Sequence, residues 1–214
     1  MALAIFDLDH TLLSGDSDHA WGQFLVDNKV VEAEYHQTQN DYFYEQYKAG
    51  DLDIEEYLAF ALKPLTEHPL ETMLALRETF IENRIKPLIT QKALALIAKH
   101  QRAGDELLII TATNAFITRP IANLLGFNEL IAPEPEIING QYTGSITGIP
   151  SFQQGKVARL EMWLAEKKID LHGAYFYSDS HNDLPLLNIV DHPVAVDADD
   201  ILTDTATRNG WPII

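Results

Sequence analysis

The chain has 214 residues, enough for one sizeable core or for a core carrying a smaller insert, since domains commonly run to roughly 100 to 200 residues. Its 32 Asp and Glu against 15 Lys and Arg give a formal charge of −17, which opposes attraction to nucleic acid or to an anionic membrane. The absence of cysteine excludes disulfides, thiolate metal sites and cysteine nucleophiles, so any metal must sit on oxygen or imidazole.

Hydrophobic residues at 46% and charged residues at 22% are the proportions of a folded globular protein. The longest strongly apolar stretch without charge, 107 to 118, has 12 residues, short of the ~20 that a spanning helix requires. MALAIFDLDH has no basic region ahead of its apolar residues and meets acids by Asp7, unlike a secretory signal. The expectation is a cytoplasmic protein without a transmembrane segment.

In chain order, residues 3 to 8 (LAIFDL) are a short apolar run ending in acids, the pattern of a buried parallel strand whose carboxyl end emerges at a site. Residues 12 to 86 follow, rich in Asp, Glu, Tyr and Leu, with helical periodicity around 19 to 27, 54 to 62 and 70 to 83. That span is too long for a simple crossover. It predicts a helical insert over the sheet's carboxyl edge, a lid, with Lys63-Pro64 as an internal break and Lys86-Pro87 as the return point. Trp21, Phe24 and the set Tyr42, Phe43, Tyr44 and Tyr47 are expected to pack that insert.

Beyond it, 90 to 103 carries Leu94, Ile97 and Ala98 on one face and stops at Gly104, a helix with its C-terminal signal. Residues 106 to 111, 129 to 133, 173 to 178 and 193 to 196 repeat the apolar-strand format, with helical patterns between most of them, including 153 to 168. Asn139-Gly140 between two β-prone runs predicts a hairpin over 136 to 147. The fold class is α/β: a doubly wound, Rossmann-like parallel sheet, with core 1–11 and 87–214, helical cap 12–86 and a small hairpin.

The chemistry gathers at the strand ends. Asp7 and Asp9, two residues apart on extended chain, present two carboxylates to one face. One can attack phosphorus while the other protonates the leaving oxygen and then activates water. Uncatalysed phosphate-monoester hydrolysis is slow enough to demand an acceleration of up to ~10²¹, so positive charge has to be added. Lys156, and a metal held by the acids at 179 and 183 in SDSHND, supply it; oxygen ligands suit Mg²⁺.

DLDHT at 7 to 11, the apolar run ending at Thr111, Lys156, and SDSHND at 178 to 183 together resemble, in order and spacing, the four motifs of the haloacid dehalogenase superfamily. The resemblance implies that Asp7 is the nucleophile, Asp9 the general acid and base, and Thr111 a phosphate ligand. Lys156 would clamp phosphate and nucleophile. Asp179 would bind Mg²⁺ with Asp7 and the Asp9 carbonyl, and Asp183 would support the metal shell or orient Lys156. His10 and His181 read as variable fillers inside the motifs, and Asn182 is a candidate for the metal shell. The helical insert and the hairpin resemble the phosphoserine phosphatase-like subgroup, whose members usually carry a Glu nine residues after the nucleophile and an Arg in the cap.

Here the ninth residue is Asp16, and 12 to 76 contains no arginine, so a bidentate grip on a substrate carboxylate is missing; Lys29, Lys48 or Lys63 would replace it less specifically. The insert holds 15 acids and 6 Lys and Arg, a net −9, which favours a substrate bearing an amine or imidazole, with Asp16, Asp18 and His19 facing it. The stretches 7 to 25 and 178 to 187 also resemble a bacterial subgroup that includes histidinol-phosphate phosphatases. The expected activity is hydrolysis of a small phosphomonoester, L-histidinol phosphate first and phosphoserine second. A phosphotransferase using the same acids is an alternative, and a noncatalytic binding protein a more distant one.

Overall fold

The computed structural model describes residues 2–214. A five-stranded, all-parallel sheet has the order β3-β2-β1-β6-β7, formed by β1 (Leu3–Phe6), β2 (Glu106–Ile110), β3 (Glu129–Ile131), β6 (Tyr175–Ser178) and β7 (His192–Ala195). All four residues of β1 are buried, as a strand covered on both faces requires. Its alternation divides the core: Ala4 and Phe6 join one apolar cluster, Leu3 and Ile5 the other. The chain winds outward on one side of β1 through β2 and β3, then returns to the other side as β6 and β7. The reversal lies between β1 and β6, where crevices at carboxyl ends form in open α/β sheets.

Between β1 and β2 run α1 (Ser17–Asp27), α2 (Ala33–Ala49), α3 (Ile54–Glu67) and α4 (Leu70–Phe80), then a π turn (Ile81–Ile85), a 3₁₀ turn (Lys86–Leu88) and α5 (Gln91–Ala103), capped by Gly104. The segments entering and leaving the first four helices meet in an antiparallel bridge, Leu13 with Ile89, beside a Ser14 N–H to Leu88 carbonyl bond of 2.8 Å. The expected break at Lys63-Pro64 does not occur: Pro64 lies inside α3. It removes one hydrogen bond, while Leu58, Leu62, Pro64 and Leu65 are buried together, and that burial holds the last turn. α2 lies between the periodic segments recognised in the sequence.

Downstream lie α6 (Ala115–Leu124), α7 (Gln154–Lys167), α8 (Leu184–Leu187) and α9 (Asp200–Asn209). The hairpin is β4 (Glu134–Ile138) with β5 (Gln141–Thr147). Asn139 and Gly140 at its turn have φ of 53° and 79°, the pair of positive angles a two-residue turn of matching twist needs. β5 packs against α3, Gly144 opposite Thr66. No helix among the described residues is long and apolar enough to cross a membrane.

Candidate active site

Three strand ends deliver the motif residues to one place: Asp7 follows β1, Thr111 follows β2 and Asp179 follows β6. Lys156 comes from the first turn of α7 and is 2% exposed. Its Nζ donates to Asp7 Oδ1 at 2.7 Å and lies 2.7 and 2.8 Å from the two oxygens of Asp183. Burial pushes the Lys156 ammonium down, but the carboxylates of Asp183 and Asp7 outweigh it and hold its pKa above the ordinary value. Asp183 Oδ2 also accepts from Ser178 Oγ at 2.7 Å. Both Asp183 oxygens are therefore committed to Lys156 and Ser178.

Asp7 and Asp9 sit in different surroundings. Asp7 is pushed up to about 6 by burial, with Lys156 opposing and Asp183 adding to the rise. Asp9 has no cation beside it among the described residues; its oxygens accept from Ser17 N–H at 2.6 Å and Thr113 Oγ1 at 2.8 Å. Burial, then the charge of Asp16, drives its pKa well above the usual carboxylate range. Thr113 and Ser17 were not singled out in the sequence. The signal for Thr113 was its place two residues after Thr111, which extended chain turns to the same side; its N–H also donates to Thr111 Oγ1 at 3.1 Å.

Asp179 accepts from Thr11 Oγ1 at 3.1 Å. Burial, then the charges of Asp7 and Asp183, raise its pKa well above the usual range. Asp7 and Asp183 share one cation, Lys156, while Asp179 beside them pairs with none among the described residues; the donor set of the three is hard oxygen. Among the described residues no three carboxylates or imidazoles close into a metal cage. A divalent cation held by two carboxylates, a backbone carbonyl and waters needs no such cage, and the crowded charge of Asp7 and Asp179 fits one.

Asn182, a candidate for the metal shell, is instead tied to the insert. Its Nδ2 donates to the Tyr47 carbonyl at 2.8 Å and its Oδ1 accepts from Gln153 Nε2 at 3.0 Å, which also reaches the Gly50 carbonyl at 3.2 Å. The end of α2 thereby docks on the start of α7, which carries Lys156, and on the loop after β6, which carries Asp179. Gly50 has φ of 79° and a Cβ there would stand 2.8 Å from His181 Nε2, so the close approach requires glycine. His181 bonds Asp199 at 2.8 Å through Nδ1, and His10 lies 3.4 Å from the Tyr44 hydroxyl.

A cleft opens over Asp7, Asp9 and Thr111, walled by Asp16, Asp18, His19, Phe43, Tyr44, Tyr47 and Tyr57 among others. The three residues expected to face the substrate, Asp16, Asp18 and His19, all line it. Trp21 and Phe24 stack at 5.7 Å and pack on Phe80, as expected. Phe43 packs within the insert against Tyr57 and Phe60, as expected, and also borders the cleft; Tyr44 and Tyr47 line the cleft as well, while Tyr42 is exposed, an orientation of α2 that the sequence alone did not show. Among the described residues no Lys or Arg lines the cleft. Lys48 pairs with Glu45, Lys63 with Glu67, and Arg84 with Asp27, while Arg77 donates to the Phe116 carbonyl.

Residues 4–188 match the family model of the haloacid dehalogenase-like hydrolases. The chain belongs to that family. It is 44% identical over 216 residues to a histidinol-phosphatase of Neisseria meningitidis serogroup C, covering 99% of this chain and 97% of that one. A crystal structure of a protein of unknown function from Bordetella pertussis Tohama I superposes with a TM-score of 0.93 at 41% identity, over 100% of this chain and 97% of that one. A substrate-bound phosphoserine phosphatase shares the fold, with a TM-score of 0.74 at 19% identity over 100% and 92% of the two chains. With these relatives and the family's motif residues at its sheet edge, the chain is a hydrolase of the phosphatase type.

Proposed function

We propose that the protein is a Mg²⁺-dependent phosphomonoesterase acting through an aspartyl-phosphate on Asp7, with L-histidinol phosphate as its substrate. Asp7 attacks phosphorus; the bond to the ester oxygen breaks and Asp9 protonates the departing alcohol. Asp9 then takes a proton from water as that water attacks the phosphorus of the aspartyl-phosphate, releasing inorganic phosphate and restoring Asp7. The observation that carries this reading is the contrast between the two carboxylates. Asp7 lies 2.7 Å from the Lys156 ammonium, which favours its ionised form, whereas Asp9 has no cation beside it among the described residues and burial, then the charge of Asp16, drives its pKa well above the usual carboxylate range, which favours its protonated form. Two acids whose environments separate their pKa values divide into nucleophile and acid.

Thr111 and Lys156 receive the phosphoryl oxygens in this scheme, and Asp183 orients Lys156, since both its oxygens are engaged. Asp7, Asp179 and the Asp9 carbonyl would hold Mg²⁺, which when bound neutralises charge developing on the phosphoryl group. Residues 12–86 act as a cap that closes the cleft against bulk water; the bonds from Asn182 and Gln153 to the end of α2 support that role.

The substrate assignment rests on the relative named a histidinol-phosphatase and on a cleft with Asp16 and Asp18 but no Lys or Arg in its lining. Phosphoserine carries a carboxylate that this lining does not match. The test is phosphate release with Mg²⁺ from L-histidinol phosphate, L-phosphoserine, sugar phosphates and an aryl phosphate. The highest kcat/KM is expected for L-histidinol phosphate; a preference for phosphoserine would overturn the substrate assignment.

A further inference from the structure

Asp18 lies in the first turn of α1, is 7% exposed and lines the cleft. Its Oδ2 accepts a hydrogen bond from the hydroxyl of Tyr57 on α3. Among the described residues nothing donates to its other oxygen, and no Lys or Arg pairs with it. His19, its neighbour in sequence, turns to Asp41 at 3.0 Å. A buried carboxylate without a cation is costly to keep, and burial pushes this one up to about 7 despite the Tyr57 bond. The cost becomes intelligible if the missing cation arrives with the substrate. Phe43, Tyr44 and Tyr47 line the same cleft, and aromatic side chains attract organic cations. The motif acids Asp7 and Asp9 line the same cleft, so a phosphomonoester bound at Asp7 places its remaining groups in a cleft that Asp18 also lines.

We propose that Asp18, oriented by Tyr57, is the specificity-determining residue that binds the cationic end of the substrate, so that the enzyme selects phosphomonoesters bearing an ammonium or imidazolium group over neutral ones. The proposal rests on the phosphatase reading above and assigns its selectivity to one carboxylate. Asp18 takes no part in proton transfer to the leaving group, so its loss acts mainly on KM.

The experiment compares wild type, Asp18→Asn and Tyr57→Phe by two readouts. The first is the ratio of kcat/KM for L-histidinol phosphate to that for an aryl phosphate lacking a cation. Asp18→Asn is expected to lower this ratio by about 30-fold, mostly through KM, and Tyr57→Phe by about 5-fold, as loss of a charged hydrogen-bonded contact implies. The second is calorimetric binding of L-histidinol, which carries the basic groups without the phosphate and requires no turnover. Binding to wild type and its loss in Asp18→Asn support the proposal. A ratio within twofold of wild type in Asp18→Asn, or L-histidinol binding unaffected by it, overturns the proposal and leaves the phosphatase reading intact. Absence of all phosphate release overturns the phosphatase reading, and the binding readout then decides on Asp18.

Discussion

Thr113 donates from its hydroxyl to Asp9 Oδ2 at 2.8 Å, joining the end of β2 to the end of β1 across 104 residues of sequence. With the Ser17 N–H on the other oxygen, it fixes the direction in which Asp9 can present a proton. Thr113→Val keeps the shape and removes the donor. We expect kcat for an alkyl phosphate to fall about 10-fold or more and that for an aryl phosphate, whose leaving group needs less protonation, to fall less. Steady-state kinetics on the two substrates checks this.

Lys156 is the sole cation among the described residues that the buried Asp7 and Asp183 share. Lys156→Met leaves two buried like charges without a partner, and breaking such a pair from one side costs about 3 to 5 kcal/mol. Urea unfolding should show a loss of that order at pH 8. Because lower pH protonates the stranded Asp7, which burial already pushes up to about 6, the loss should shrink as pH falls towards 5, and phosphate release should be nearly abolished at every pH.

Asp18 gives a prediction of opposite sign. Its pKa rises from 3.8 in the unfolded chain to about 7 in the folded one, so folding favours the protonated form. The stabilising effect of that proton is fully present below about pH 4 and is lost as pH rises through 7. At about 1.36 kcal/mol per unit, the ceiling on this effect is of order 4 kcal/mol. Asp18→Asn should therefore raise the Tm by several degrees at pH 8, with the difference vanishing near pH 4, while selectivity for cationic substrates falls. Melting curves across that range check it.

The raised pKa of Asp179, caused by burial and then by Asp7 and Asp183, marks a place where added positive charge is favourable. Mg²⁺ should raise the Tm of the wild type in proportion to its occupancy. Asp179→Asn should abolish that shift, and calorimetric titration should show the loss of Mg²⁺ binding directly.

What was legible in the sequence was what short-range pattern controls. An apolar run followed at once by acids placed Asp7 and Asp179 at strand ends, and Asn139-Gly140 with two positive φ angles made its hairpin where expected. The helix α2 was harder, because EYHQTQNDYFYEQYK carries few aliphatic residues and buries only His36, Asn40 and Phe43. Pro64 misled because a local rule about helix breaking was overridden by burial of its neighbours. Thr113, Tyr57 and Gln153 act through partners 104, 39 and 103 residues away. Such pairings follow from how α1, α3 and the strand ends pack, which no local periodicity encodes.

That Asp7 is the nucleophile is tested by Mg²⁺-dependent phosphate release from L-histidinol phosphate by wild type and by Asp7→Asn, an isosteric change that keeps an acceptor for Lys156. The expected result is an active wild type and a kcat reduced by about 10⁴-fold or more in the variant, as removal of a nucleophile implies. Retention of substantial activity by a folded Asp7→Asn protein would contradict the aspartyl-phosphate mechanism.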